Sequence, residues 1–255
     1  MLGFRGLMLK KYKFDGYNTD TDLSDLDEEI TFVEKGTPCG ELLRRYWHPV
    51  LLSEELGELP KLIKVLGEEL VLFRDKSGQI GLLHKHCAHR GASLEYGIIA
   101  DCGLICSYHG WQYDIDGTLI KAGSEPCKSP VHKRVKQGAY QTHEQEGIIF
   151  AYLGPPEYTP EFPIYDTQLD KTVKKIPFTI ETPCNWMQVY ENTQDPIHVV
   201  HLHARSSGVQ FGVASGVDQI IEYDDTPLGM INIQTRQVDG HVWTRTTESI
   251  LPNGN

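Results

Sequence analysis

The sequence predicts a mainly β protein with some helix, built in two parts. Three observations carry this. Short apolar runs broken by Ser-Gly and Asp-Gly turns fill residues 61–150, a proline- and acid-rich stretch follows at 154–163, and two more strand-like runs, MINIQTRQV and HVWTRTTESIL, lie beyond it. The 255 residues are 40% hydrophobic and 23% charged, an ordinary globular composition that excludes wholesale disorder and allows a real core. With 35 acidic and 24 basic residues the formal charge is −11, without the basic footprint of a nucleic-acid binder. No run approaches the roughly 18 apolar residues of a membrane span. Met1 to Phe14 has no signal-peptide core, so the expectation is a cytoplasmic chain with neither membrane nor nucleic acid as partner.

Taken in order, residues 1–45 read as an arm and a short helix. Asp15 to Glu29 holds no basic residue, and Thr37-Pro38 looks like an N-cap and first helical proline opening a helix through Leu42, Leu43 and Tyr46. Residues 46–156 form the β unit, with strands expected in KLIKVLG, EELVLFRD, QIGLL, GLIC, WQYDIDG and GIIFAYLG. Residues 157–255 begin with the linker, followed by an expected strand in KKIPFTIET and a helical stretch from Asn185 to His203 interrupted by Asp195-Pro196. No strand is followed by G-x-G-x-x-G, so the chain is not expected to bind a dinucleotide itself.

The cysteines, at 39, 87, 102, 106, 127 and 184, do not make a disulfide framework, and close Cys/His pairs in a reducing compartment point to metal. Histidines cluster, four between 84 and 109 and three between 198 and 203. The first constellation is Cys87-Ala88-His89, sixteen intervening residues, then Cys106-Ser107-Tyr108-His109. Each loop offers one thiolate and one imidazole. Zinc is the competing reading, but zinc fingers put cysteines in one pair and histidines in the other. The alternating order suits a two-iron cluster with Cys on one iron and His on the other. His84 and His86 are decoys, since His86 precedes its cysteine and has no counterpart in the second loop. Cys102 reads as a small buried hydrophobe.

HCAHRGASLEYG and CSYHGWQYDIDG resemble the Rieske [2Fe–2S] motif of aromatic-ring-hydroxylating oxygenases. GTPCGELLRRYWHPVLLSEEL resembles the opening of phthalate 4,5-dioxygenase-type oxygenase components, and the likeness runs from about Gly36 onward. The resemblance implies a Rieske antiparallel β domain at 46–156. Beyond it, at 157–255, it implies the first part of an α+β helix-grip (START-like) catalytic domain. It assigns Cys87, His89, Cys106 and His109 to the cluster. Respiratory Rieske proteins carry a disulfide between the two loops and a serine beside the cluster. Here those positions are Ala92, Tyr108 and Trp111, while Tyr113 keeps the nearby phenol. Fewer hydrogen bonds to sulfur imply a potential at the low end of the Rieske range of roughly −150 to +300 mV.

The second constellation is the run from Asn185 to His203, three imidazoles beside a carboxylate. This suggests a two-His-one-carboxylate iron site, which leaves positions open for oxygen. On a regular helix His198 and His201 lie about 60° apart and His198 and His203 about 140° apart, so geometry alone favours His201. The family pattern D-x-x-H-x-x-x-x-H fits Asp195, His198 and His203, which requires a distorted helix. By the resemblance Asp195 is not a ligand but links the iron site to a neighbouring subunit's Rieske histidine, and Asn192 lies beside the iron. Asp195 also suits a cap on the helix that starts at Pro196.

The resemblance implies an oxidoreductase of aromatic catabolism. A reductase using NADH, with or without a ferredoxin, feeds the cluster. The cluster feeds a mononuclear Fe(2+) that activates O2 to hydroxylate or demethylate an aromatic or related substrate. A homotrimer or other ring brings one subunit's cluster to the next subunit's iron. The alternative is a Rieske ferredoxin-like electron carrier. The family's third iron ligand is an aspartate far downstream, and Asp218, Glu222, Asp224, Asp225, Asp239 and Glu248 sit in no matching segment. The expectation is therefore an oxygenase chain lacking the C-terminal part of its catalytic domain, one that holds mononuclear iron weakly and leaves apolar sheet exposed.

Overall fold

The computed structural model describes residues 27–123, 125–126, 128–206 and 216–252. Most of the expected acidic arm, and Cys127, lie outside the described residues. Thr37 caps the helix Pro38–Leu43 by accepting a hydrogen bond from the Gly40 amide, as its sequence suggests. The helix stops at Leu43, short of Tyr46, because Trp47 already starts a strand.

Ten strands build the first part: β1 Trp47–Leu52, β2 Lys61–Val65, β3 Glu68–Arg74, β4 Ile80–His84, β5 Ile98–Ile99, β6 Leu104–Ile105, β7 Trp111–Tyr113, β8 Leu119–Ala122, β9 Ala139–Gln145 and β10 Ile148–Tyr152. They form a six-stranded sheet in the order β1-β10-β9-β4-β3-β2 and a four-stranded sheet β5-β6-β7-β8, with antiparallel pairing throughout. The continuous apolar run Leu70-Val71-Leu72-Phe73 in β3 is fully buried on both faces. Val71 and Phe73 join Leu83, Leu94, Leu104, Trp111 and Tyr113 in one core, while Leu70 and Leu72 join Leu82, Ile149 and Ala151 in another. Buried Asp75 ties the two sheets together. Its carboxylate accepts from the amides of Ser77 and Gln79 in the β3–β4 turn, from the Ser77 hydroxyl, and from the Gly103 amide between β5 and β6.

The proline-rich stretch is pinned to this unit. Trp47 donates its indole N–H to the Pro160 carbonyl at 3.1 Å and meets the Phe162 ring edge-on at 5.7 Å. The strand expected in KKIPFTIET does not form: residues 173–182 carry no regular structure. Pro177 cannot donate to a ladder and rests instead against Gly147, where a Cβ would come within 3.1 Å of it. Ile176, Phe178 and Ile180 are 70–79% exposed.

The second part holds the helix Trp186–Gln194, a π-helical turn over Val199–Ser206, and an antiparallel sheet of β11 Ile220–Thr226, β12 Gly229–Val238 and β13 His241–Ile250. Tyr190 on that helix bonds Ser249 across to β13 at 2.7 Å, which docks the helix on the sheet. Among the described residues no helix is long and apolar enough to cross a membrane.

Candidate metal centres

The two Cys/His loops share one backbone frame. The Cys87 amide donates to Ala92 O, and the Gly91 amide returns to Cys87 O. Likewise Cys106 donates to Trp111 O, and Gly110 returns to Cys106 O. Each turn closes through a glycine at positive φ, +72° at Gly91 and +69° at Gly110, a conformation costly for any residue with a Cβ. Inside equal frames the histidine sits two residues after its cysteine in one loop and three in the other.

The result is a sorting of donors. Cys87 and Cys106 are buried in one core cluster, whereas His89 and His109 lie further out with ring centroids 4.8 Å apart. Trp111 stacks on His89 at 4.3 Å, fixing its plane. Two thiols on one side and two imidazoles on the other give each iron of a two-iron cluster two protein donors. The fit has a direct mark: His89 Nδ1 is buried and has no hydrogen-bond partner, a cost of about 1–3 kcal/mol that metal ligation removes. Burial, aided by the charges of His109 and Arg90, lowers the His89 pKa and keeps the ring neutral, the form that ligates metal. Burial raises the Cys106 thiol, so binding metal there must release a proton. The Tyr113 hydroxyl lies 3.2 Å from Cys87 Sγ. Burial and the nearby sulfur push its pKa well above the ordinary value, so it stays a donor.

Gln137 has no motif around it that marks it as part of the site. Its buried amide accepts from the Ala88 N–H between Cys87 and His89, and donates to the carbonyls of His84 and His86. A side chain on Gly117 would meet Gln137 O at 2.0 Å, so the Asp-Gly turn is shaped to admit this residue. The decoys have other work: His84 lies 3.6 Å from Glu68, and the His86 ring bonds Gly91 O. Cys102 departs from expectation. It is exposed at the β5–β6 turn with its thiol 3.5 Å from Asp114, because a tight two-strand hairpin leaves its tip outside the core.

The second set is arranged by the π-helical turn. Its i→i+5 bonding brings residues five apart onto one face, where a regular helix would separate them. The His198 and His203 rings meet edge-on at 5.1 Å, while His201 is exposed. Asp195 uses both carboxylate oxygens. One accepts the Ile197 amide at 2.8 Å, and the other faces His198 Nδ1 at 3.3 Å. It is thus a cap and an imidazole partner together, leaving Nε2 as the His198 nitrogen for a metal.

A buried ladder of side chains holds this corner. Gln194 accepts from Asn232, whose carbonyl accepts from Gln234, whose carbonyl accepts from Arg236. Arg236 also donates to Gln219, which donates to Pro196 O. The chain of bonds leaves the segment on one side of Asp195 and returns on the other. It inverts the usual strand pattern, since Asn232, Gln234 and Arg236 are 1–4% exposed and the alternating Ile231 and Ile233 are not buried as deeply.

A cavity of about 350 Å³ opens beside the histidines, lined by Asn192, Asp195, His198, His203, Gln234, Arg245 and Thr247 among others. Asp195 is the one carboxylate on its wall among the described residues. Asp218, Glu222, Asp224, Asp225, Asp239 and Glu248 are not part of it.

Comparison with known proteins places residues 46–137 in the Rieske [2Fe-2S] domain family. The chain is 44% identical over 239 residues to the tert-butanol monooxygenase / tert-amyl alcohol desaturase oxygenase subunit of Aquincola tertiaricarbonis, covering 88% of this chain and 51% of that protein. It is 38% identical over 242 residues to phenoxybenzoate dioxygenase subunit alpha of Ectopseudomonas oleovorans, covering 89% and 59%. The chain thus spans between half and three-fifths of the length of these relatives. Dicamba monooxygenase bound to dicamba has the same fold at a TM-score of 0.63 with 22% identity, over 76% of this chain and 57% of that one. The oxygenase in the ferredoxin complex of carbazole 1,9a-dioxygenase follows at 0.56 with 26% identity, over 78% and 57%.

Proposed function

We propose that this chain, which belongs with the oxygenase subunits of the Rieske oxygenases and carries their [2Fe–2S] domain, receives electrons at its first donor set and serves oxygen chemistry at its second. The observation that carries the reading is the sorting of side chains: paired thiols, paired imidazoles, and a separate His198/His203 pair on a π-helical turn. When bound, a [2Fe–2S] cluster and a mononuclear iron supply the electron relay and the activation of oxygen.

The residues do the rest. Cys87, His89, Cys106 and His109 would hold the cluster, and the Tyr113 hydroxyl is placed to donate toward the Cys87 sulfur. Gln137 holds the Cys87–His89 segment in place. His198 and His203 hold iron, and Asp195 fixes the His198 tautomer by accepting from Nδ1. The same carboxylate is nearly half exposed, which leaves it able to meet a histidine of a neighbouring subunit in a ring. Asn192 lines the cavity beside the pair. A reductase using NADH, directly or through a ferredoxin, is the electron donor, and the substrate is an aromatic or related small molecule to be hydroxylated or demethylated.

Anaerobic reconstitution tests this. Two irons and two acid-labile sulfides per chain are expected on the first set, with further ferrous iron taken up by the second. His198→Ala and His203→Ala should each abolish that further uptake while His201→Ala preserves it. A colourless protein holding stoichiometric zinc overturns the reading. Uptake unaffected by His203→Ala returns the second site to His201.

A further inference from the structure

The four donors of the first set come from two sheets. Cys87 and His89 follow β4 of the six-stranded sheet, whereas Cys106 and His109 lie between β6 and β7 of the four-stranded one. Each pair is framed within its own loop, so the placement of one pair against the other depends on what joins the loops across the sheets. Gln137, just ahead of β9, joins them through its backbone and its side chain at once. Its main-chain N–H donates to the Gly117 carbonyl at 2.9 Å, which fixes it to the turn of the β7–β8 hairpin. Its side chain reaches the other way, to residues 84–88. The amide oxygen accepts from the Ala88 N–H at 2.8 Å, and the NH2 group donates to the carbonyls of His84 and His86 at 2.9 and 3.0 Å. Gly138, next in sequence, permits the close approach, because a Cβ there would collide with the His84 ring.

The clamp closes a circuit. From Gly117 the tight turn, held by the Asp114 amide on the Thr118 carbonyl, leads back to Tyr113 at the end of β7. The Tyr113 hydroxyl then returns to the Cys87 sulfur at 3.2 Å, one residue from the Ala88 amide that Gln137 holds. Two buried polar side chains, Gln137 and Tyr113, thus span from the hairpin to the Cys87 loop, and the aim of one depends on the other. We propose that Gln137 is a positioning residue for electron entry: it holds the Cys87 loop against the β7–β8 hairpin so that the Tyr113 hydroxyl keeps its bond to the Cys87 sulfur, and through that bond it raises the reduction potential at the first donor set. A donor to a cluster sulfur stabilises the reduced, more negative state, so a hydroxyl that loses its aim lowers the potential. The effect on potential rests on the reading of these four residues as cluster ligands; the clamp does not.

Redox titration of the cluster-loaded chain in a double-mutant cycle tests it, because residues that act through one another depart from additivity. Gln137→Leu should lower the reduced-to-oxidised ratio at a fixed potential by about fivefold, a shift of roughly 40 mV for one electron. In a Tyr113→Phe background the same substitution should move the potential no further. Amide exchange read by mass spectrometry should be about tenfold faster over residues 84–91 of Gln137→Leu and unchanged over residues 106–111. A potential unmoved by Gln137→Leu, even with a lower melting temperature, overturns the proposal, and so does an additive shift in the double variant. If Gln137→Leu does not retain the cluster, Gln137→Met, which keeps the unbranched stem, carries the same test; loss from both makes Gln137 a condition of assembly and overturns the tuning role. Iron and sulfide assays of the unsubstituted chain keep the two readings apart. No two-iron cluster there sinks the ligand assignment, whereas a cluster whose potential ignores Gln137 sinks this proposal alone.

Discussion

The two donor sets are held by different means. At the cluster loops the backbone does the holding: matched amide-to-carbonyl bonds close each turn, glycines supply the positive φ, and a short stretch of chain contains everything but Gln137. At the histidine pair, side chains do it. Asp195 caps and orients, and a ladder from Gln194 through Asn232, Gln234 and Arg236 to Gln219 grips the corner from a sheet that follows it in sequence. A backbone frame tolerates change at intervening positions such as Ala88 or Ser107, whereas a side-chain frame can be cut at any rung.

The largest effect expected is all-or-none. Cys106→Ala should abolish the visible absorption and labile sulfide of the cluster, while Cys102→Ala, at an exposed turn, should leave both intact. Next comes Asp75, whose carboxylate joins the two sheets through four hydrogen bonds. Asp75→Asn should cost roughly 2–3 kcal/mol in denaturant unfolding, since an amide cannot accept at both ends. Burial alone would raise the Asp75 pKa, but bonds from Ser77, Gly103 and Gln79 outweigh it and hold the group below its ordinary 3.8. Its stabilisation is therefore complete above that value and lost as pH falls through the lower folded one. The gap between wild type and variant should close in acid.

Smaller effects sharpen the contrast. Asp195→Asn should keep the cluster spectrum unchanged and lower ferrous affinity or cluster-to-iron electron transfer by about 10–100-fold; unchanged transfer in rapid mixing would reduce Asp195 to a cap. Asn232→Leu, on the three-stranded sheet, should weaken ferrous uptake at the second set and leave the cluster potential alone. If it shifts the potential instead, the two frames are not independent. The smallest is Tyr113→Phe, which removes one donor to the Cys87 sulfur. A loss of about 1 kcal/mol corresponds to a midpoint potential lower by roughly 40 mV, read by redox titration.

What was legible in the sequence follows the same division. Cys87-x-His89 and Cys106-x-x-His109 are local, and the turns that shape them are written in Gly91, Gly110 and Asp116-Gly117. Six of the ten strands of the first part, β2, β3, β4, β6, β7 and β10, announced themselves as short apolar runs, Leu70 to Phe73 above all, whereas β1, β5, β8 and β9 did not. KKIPFTIET misled because composition alone does not provide a partner strand, and Pro177 denies one hydrogen bond in advance. The ladder left no sign in the sequence. Alternation in Ile231-Asn232-Ile233-Gln234 ordinarily turns isoleucine inward, yet here the polar side chains are inside because they bond one another and Gln194. Gln137 carried no local signal, since its partners lie 49–53 residues away, and of the Asp75 bonds only those to Ser77 and Gln79 are local, while Gly103 lies 28 residues on.

The π-helical turn has a consequence for how the second motif is encoded. Ordinary helices pair residues four apart; this one pairs His198 with His203 because each turn accommodates one residue more. The pairing is thus specified by a count of residues and not by their identity. The exposed His201 and Leu202 can change character so long as four residues remain between the pair, whereas Val199 and Val200 are buried and must stay apolar. Deleting one would restore a regular helical turn and a four-residue spacing, which could bring the two rings together again on a straighter axis. A deletion series through 199–202, read by ferrous uptake, shows whether the five-residue spacing is needed.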